Sequence, residues 1–119
     1  MSDRSQPKPP TDHTVRANAA AGATLALDDE GDWGRATRGL IATHETGAFD
    51  GPLGTAWDVA EYDFLRDSAD APASVHPSLW RQGRLNAVHG LFEVADGIWQ
   101  CRGYDISNIT FIAGTDGWI

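Results

Sequence analysis

The clearest regularity in the chain is a change of period at Leu91. Before it, the run from Pro77 to Gly90 places Trp80, Leu85 and Val88 on one helical face, with Leu79 beside them and Arg81 and Arg84 off it. Pro77 suits the first turn, where its missing N–H is harmless, and Gly90 suits the position after the C-terminus, so a helix is expected over this run with His89 in its last turn. After it the period is two. Leu91-Phe92-Glu93-Val94, the turn Ala95-Asp96-Gly97 and Ile98-Trp99-Gln100-Cys101-Arg102 predict a hairpin. A loop over 103–107 leads to a third strand, Asn108 to Ala113, and Gly114-Thr115-Asp116-Gly117 turns it back into Trp118-Ile119. A strand of two residues has no ladder to complete, and the C-terminus reads as an interruption.

Upstream the pattern is weaker. Residues 1–23 are rich in Pro, Ser, Thr, Asn and Ala without an apolar period, which predicts a disordered arm. From Asp29 to Arg38, acidic residues open and Arg35 and Arg38 close a short helix, with Gly39 as a left-handed cap and 40–42 leaving it extended. The region from Gly47 to Gly54, containing Pro52, reads as a loop. Asp58 to Leu65 reads as a second short helix, in which Asp58 caps the amide of Glu61, and 67–74 as a polar linker.

Charge sharpens this outline. The 119 residues carry a formal net charge of −8, and all of it falls between Asp28 and Asp70, where eleven acidic residues face three basic ones. A solvated outer face explains the stretch without a partner; contact with a basic surface is the alternative. Nucleic acid is not expected as a partner, because phosphate binding needs clustered Lys and Arg. No apolar run approaches the roughly 20 residues of a membrane-spanning helix, so no membrane partner is expected either. Met1 to Pro10 lacks the apolar core of a signal peptide, which predicts a cytoplasmic chain. The single Cys101 excludes an internal disulfide.

Little in the sequence looks like a reaction centre. His13, His44, His76 and His89 lie 31, 32 and 13 residues apart, without the close spacings of metal ligands, and read as solvated or helix-end side chains. Cys101 has no adjacent base and reads as a small buried thiol. Asp105, Ser107 and Asn108 share one loop and are candidates for ligand contact, against the plainer reading that they hydrogen-bond their own backbone. Gly114 to Gly117 lacks the pattern and the following helix of a phosphate loop.

The second half of the chain does resemble a known family. Pro77-Ser78-Leu79-Trp80-Arg81-Gln82, Leu85-Asn86, His89-Gly90-Leu91-Phe92-Glu93-Val94, Gly97-Ile98, Arg102-Gly103-Tyr104-Asp105-Ile106-Ser107-Asn108 and Phe111-Ile112 resemble the approach to the catalytic domain of zinc-dependent alkylsulfatases of the metallo-β-lactamase superfamily. Arg38 to Ala42 and Trp57 to Leu65 are similar to the segment preceding that domain. The family turn usually reads Gly-Asp-Thr-Gly, whereas Gly114-Thr115-Asp116-Gly117 swaps the middle pair.

The resemblance implies an α/β fold, the N-terminal piece of an αββα sandwich. The resemblance covers roughly Asp28 to Ile119, and together with composition and charge it divides the chain into a disordered arm (1–23), an acidic approach with short helices (24–75) and the incomplete start of the metallo-β-lactamase-like domain (76–119). It implies a sulfuric-ester hydrolase acting on alkyl sulfates such as dodecyl sulfate, with two zinc ions held by a His-x-His-x-Asp-His motif that does not occur in this sequence. The expectation is a truncated portion, inactive alone, dimerising only through domains outside it. Tyr104, Asp105 and Asn108 are expected near the substrate mouth, as supporting residues. A small autonomous acidic interaction protein is the alternative.

Overall fold

A computed structural model describes residues 7–44 and 47–119. Its helices are α1 (Asp12–Thr24), α2 (Gly31–Thr37), α3 (Asp63–Asp67) and α4 (Pro77–Asn86), and its strands are β1 (Leu40–Ala42), β2 (Ala48–Gly51), β3 (Gly54–Asp58), β4 (Gly90–Ala95), β5 (Ile98–Arg102) and β6 (Ile109–Ile112). The fold is a mixed α/β one built on an antiparallel four-stranded sheet in the order β1-β4-β5-β6, with β2-β3 as a separate hairpin.

The period-two run after Leu91 forms the sheet as the sequence predicts. Register sets Leu40, Phe92, Gln100 and Thr110 in one cross-strand row and Leu91, Cys101 and Ile109 in the next, so alternation gives the sheet two different faces. Phe92 is fully buried, and only Val59 and Trp80 join it as buried apolar side chains among the described residues. The expectation that Trp118-Ile119 has no ladder to complete is corrected. Ile112 and Ile119 exchange backbone hydrogen bonds of 2.9 and 3.0 Å, and Ala113 bridges Trp118.

Four further expectations are corrected. Over 12–24 the disordered arm is a helix, while residues 1–6 lie outside the described residues. Thr11 Oγ1 caps the Thr14 amide at 3.2 Å, and the alanines that deny α1 an apolar stripe are the strongest helix formers. Asn18 Nδ2 ties it to the Ala73 carbonyl at 2.8 Å. The loop expected over 47–54 is largely the β2-β3 hairpin, its strands matched at Phe49 and Trp57, with Pro52 and Leu53 left for the turn. The second short helix splits into a 3₁₀ turn over Val59–Tyr62 and α3, and Asp58 Oδ1 caps the amide of Ala60, not Glu61, at 2.9 Å. Finally, α4 starts as expected, with Pro77 in its first turn and His76 Nδ1 accepting from the Ser78 amide, but ends at Asn86. His89 therefore lies beyond the helix. Gly90, at φ +146°, opens β4, because a side chain there would collide with the Ala42 carbonyl of β1.

Gly39 does supply the left-handed turn after α2, at φ +80°. The helices are then tied together by arginines. Arg81 donates from Nε to the Leu27 carbonyl (3.2 Å), from Nη2 to the Asp29 carbonyl (2.6 Å) and from Nη1 to Asp32 Oδ2 (3.0 Å). Arg35 adds a 2.8 Å bond to the other oxygen of Asp32.

Hydrogen bonds from Arg81, and then from Arg35, hold the Asp32 carboxyl below its ordinary pKa of 3.8. A depressed folded-state pKa means that the ionised form favours the folded chain. The contribution is complete above 3.8 and disappears as pH falls through the lower folded value. Denaturant midpoints followed down through this window should fall more steeply for the wild type than for Asp32→Asn, which lacks the titrating group.

Candidate functional site

The candidate loop runs from Gly103 to Asn108, between β5 and β6. Its first residue must be glycine. At φ +78° it brings the backbone so near His89 that an added Cβ would stand 2.6 Å from the His89 Cβ. Trp57 of β3 reaches across and donates its indole N–H to the Gly103 carbonyl at 3.3 Å, while Trp57 itself stacks on Tyr62 with centroids 5.9 Å apart.

Tyr104 provides a second anchor. Its hydroxyl accepts from the His44 backbone N–H at 3.0 Å, and its ring stands edge-on to Phe49 and His89, with centroid distances of 5.4 and 5.6 Å. His44 closes the cluster by lying 4.5 Å from the Phe49 ring. Tyr104 is therefore an aromatic bolt between the loop and the β2-β3 hairpin.

Asp105 and Asn108 sit differently. Both are exposed and line a polar cleft of about 660 Å³ together with Gln82 and Asn86 of α4 and Arg102 of β5. Asp105 Oδ1 accepts from the Ile106 amide at 2.6 Å, which is the local turn contact that its residue type favours. Gln82 Nε2 donates to Asn86 Oδ1 at 2.9 Å, one helical turn apart. Arg102 lies over the Phe92 ring at 4.3 Å and donates from Nε to Gln100 Oε1 at 2.6 Å. The three loop residues chosen from the sequence thus divide: Asp105 and Asn108 share a cleft, and Tyr104 belongs to the support behind it.

Carboxamides and a guanidinium can orient a polar or anionic group by hydrogen bonding. They supply no nucleophile paired with a base. Cys101 is half-buried in β5, in the row with Leu91 and Ile109. His13 lies in α1, His76 caps α4, and His44 and His89 flank Tyr104. Among the described residues no three His, Cys, Asp or Glu side chains converge as metal ligands would. The donors present therefore do not fit the zinc pair that the resemblance implies.

Sequence reasoning missed Trp57, Phe49 and His44 because their contacts with the loop span about half the chain. Gln82 and Asn86 carried a usable signal, since polar side chains four residues apart share a helix face.

No family model matches the chain. A linear primary-alkylsulfatase from Pseudomonas sp. is 43% identical over 111 residues, which is 92% of this chain and 16% of that protein. An alkyl/aryl-sulfatase from Saccharomyces cerevisiae is 42% identical over 102 residues, 85% of this chain and 16% of that one. The solved structure of a stereoselective inverting sec-alkylsulfatase from Pseudomonas sp. superposes with a TM-score of 0.87 at 40% identity, covering 95% of this chain and 18% of the other. In sequence and in fold the chain matches a segment of alkylsulfatases, spanning 16% of the length of the curated relatives it matches.

If Tyr104 holds the loop through its hydroxyl, Tyr104→Phe should lower stability by about 1 kcal/mol, the usual worth of one such hydrogen bond. Thermal unfolding measures the loss. Faster amide exchange at His44, with the ring contacts intact, places it.

Proposed function

We propose that this chain is the segment of an alkylsulfatase that leads into its catalytic domain. In this role it supplies walls and positioning groups for the hydrolysis of alkyl sulfate esters, and the reacting groups lie in other segments. The carrying observation is the agreement with alkylsulfatases over 92% of the sequence and 95% of the fold. Residues 24–75 form the approach and lend β1 to the sheet, and residues 76–119 add β4, β5 and β6 as the start of a metallo-β-lactamase-like sandwich. The zinc ions belong to ligands that these residues do not include.

Within that reading, Asn108 and Asp105 are positioned for a supporting role at the substrate. The loop is held from behind by Trp57 and Tyr104, so its exposed side chains are oriented before a ligand arrives. Asn108, together with Gln82 and Asn86, offers amide N–H donors to sulfate oxygens, and Arg102 brings a positive charge to a cleft that the carboxylates of Asp32 and Asp105 also line. Asp105 is partly spent on its own backbone and serves chiefly to shape the turn. No helix of the described residues is long and apolar enough to cross a membrane, and alkyl sulfate is the partner this reading requires.

Two measurements test it. The 119-residue chain supplied with zinc should release no sulfate from dodecyl sulfate, and turnover would overturn the assignment of the reacting groups elsewhere. In the complete alkylsulfatase containing this segment, Asn108→Ala should raise KM about two- to tenfold with little change in kcat, the loss expected for one binding hydrogen bond. Unchanged KM and kcat would remove the loop from the substrate.

A further inference from the structure

We infer that His76 makes the start of α4 a pH-sensitive fastening: the neutral imidazole caps the helix, and protonation releases its first turn. The Ser78 amide donates to His76 Nδ1 at 3.2 Å, so a ring nitrogen serves where the oxygen of Ser, Thr, Asp or Asn usually does.

The local sequence leaves the cap to that ring. Pro77 holds His76 extended, at φ −63° and ψ 129°, and brings no N–H of its own. The Trp80 amide bonds the His76 carbonyl at 3.1 Å and closes the first turn. The amides of Ser78 and Leu79 are the donors left over, and the His76 ring takes the first of them.

A ring nitrogen accepts only through its lone pair. With the proton on Nε2, the Nδ1 lone pair is available; in the imidazolium both nitrogens are donors, and two N–H groups would face each other. The cation would also sit at the positive end of the helix dipole, where it is disfavoured. An Asn cap has no such second state.

Neighbouring charges do not replace the cap. α1 reaches this end of α4 at Gly22, where a Cβ would rest 3.6 Å from Pro77 Cγ, while its Asp12, His13 and Arg16 lie six to ten residues back along the helix. The linker before α4 brings Asp67 and Asp70, and α4 itself brings Arg81, which is committed to Leu27, Asp29 and Asp32. No carboxylate among the described residues forms an ion pair with the His76 ring.

The first turn carries more than itself. Trp80 is buried, donates its indole N–H to the Ser68 carbonyl at 3.2 Å and packs on Phe64 with ring centroids 5.9 Å apart; Arg81 beside it gathers Leu27 and Asp29. Acid therefore loosens α4 at the point where the linker and α2 are tied to it. Because the capped form requires the neutral ring, its contribution is complete above the histidine range and is lost as pH falls through it, around an ordinary midpoint of about 6.5. Asp32 titrates below 3.8, so the two effects occupy separate windows.

The inference does not rest on the alkylsulfatase reading, and NMR of the 119-residue chain tests it. At about pH 8, long-range proton–nitrogen correlations should show His76 as the Nε2–H tautomer, with Nδ1 unprotonated. From there to about pH 5 the protection of the Ser78 amide, corrected for intrinsic exchange, should fall about fivefold, the equilibrium worth of one N-cap. In His76→Asn, which keeps an acceptor, protection should stay level although His13, His44 and His89 still titrate. Circular dichroism checks that this variant folds; should it not, the tautomer and the wild-type protection decide. An Nδ1–H tautomer, wild-type protection that does not change, or an equal fall in folded His76→Asn overturns the inference.

Discussion

Arginine capture of backbone carbonyls holds this fold together. With only Val59, Trp80 and Phe92 buried among the apolar side chains described, burial alone leaves the short helices weakly fixed. α2 has seven residues and α3 five, lengths at which a helix in water does not persist without tertiary support. Arg81 takes the carbonyls of Leu27 and Asp29, Arg84 that of Leu65, and Arg66 that of Val59 while also pairing with Asp63. The Leu27, Asp29 and Leu65 carbonyls lie in turns or at a helix end, where backbone donors run out, and the arginines supply the missing N–H groups. Because most of these acceptors are neutral, the ties depend less on charge complementarity than surface ion pairs do, and they join segments about 50 residues apart as well as neighbours.

The candidate site inherits its shape from a similar long-range tie. The Gly103–Asn108 loop leaves β5 through a left-handed glycine, and two side chains from outside the sheet's own hairpins then fix it: the indole of Trp57, and the packing of Phe49 against Tyr104. A loop held this way can expose Asp105, Ile106 and Asn108 without losing its path. The β2-β3 hairpin thus does for the loop what a second layer of packing does in a larger core. Its own tip, with Leu53 fully exposed, takes no part in that support.

The parts legible in the sequence were those fixed by local patterning. Alternation after Leu91 gave β4, β5 and β6, and Pro77 marked the start of α4. What stayed hidden depended on other criteria or on distant partners. Alanine propensity and the Thr11 cap, without an apolar stripe, make α1. Gly90 looks like a helix stop from its neighbours, yet its conformation is demanded by Ala42 on another strand. Tyr104 looked equivalent to Asp105 and Asn108 because all three share one loop; only the positions of Phe49, His44 and His89 show that it faces the other way. The match to alkylsulfatases was legible for a different reason, since it rests on runs of identical residue types and requires no folding argument.

Charge links the scaffold to the ligands it can accept. The acidic stretch from Asp28 to Asp70 carries the whole formal charge of −8, but much of it is occupied in structure. Asp29 caps the Gly31 amide, Asp32 holds Arg81 and Arg35, Asp50 accepts from Thr55, Asp58 caps Ala60, and Asp63 pairs with Arg66. Those carboxylates are local fastenings, which weakens the case for an acidic docking face and explains why acids cluster among short helices and turns. An anionic ligand must still approach a chain of net negative charge, a repulsion that salt screens beyond about 8–10 Å. Long-range attraction therefore cannot draw an anion to these residues, and only close contacts can hold one, of the kind that Arg102 offers in the cleft beside Asn108.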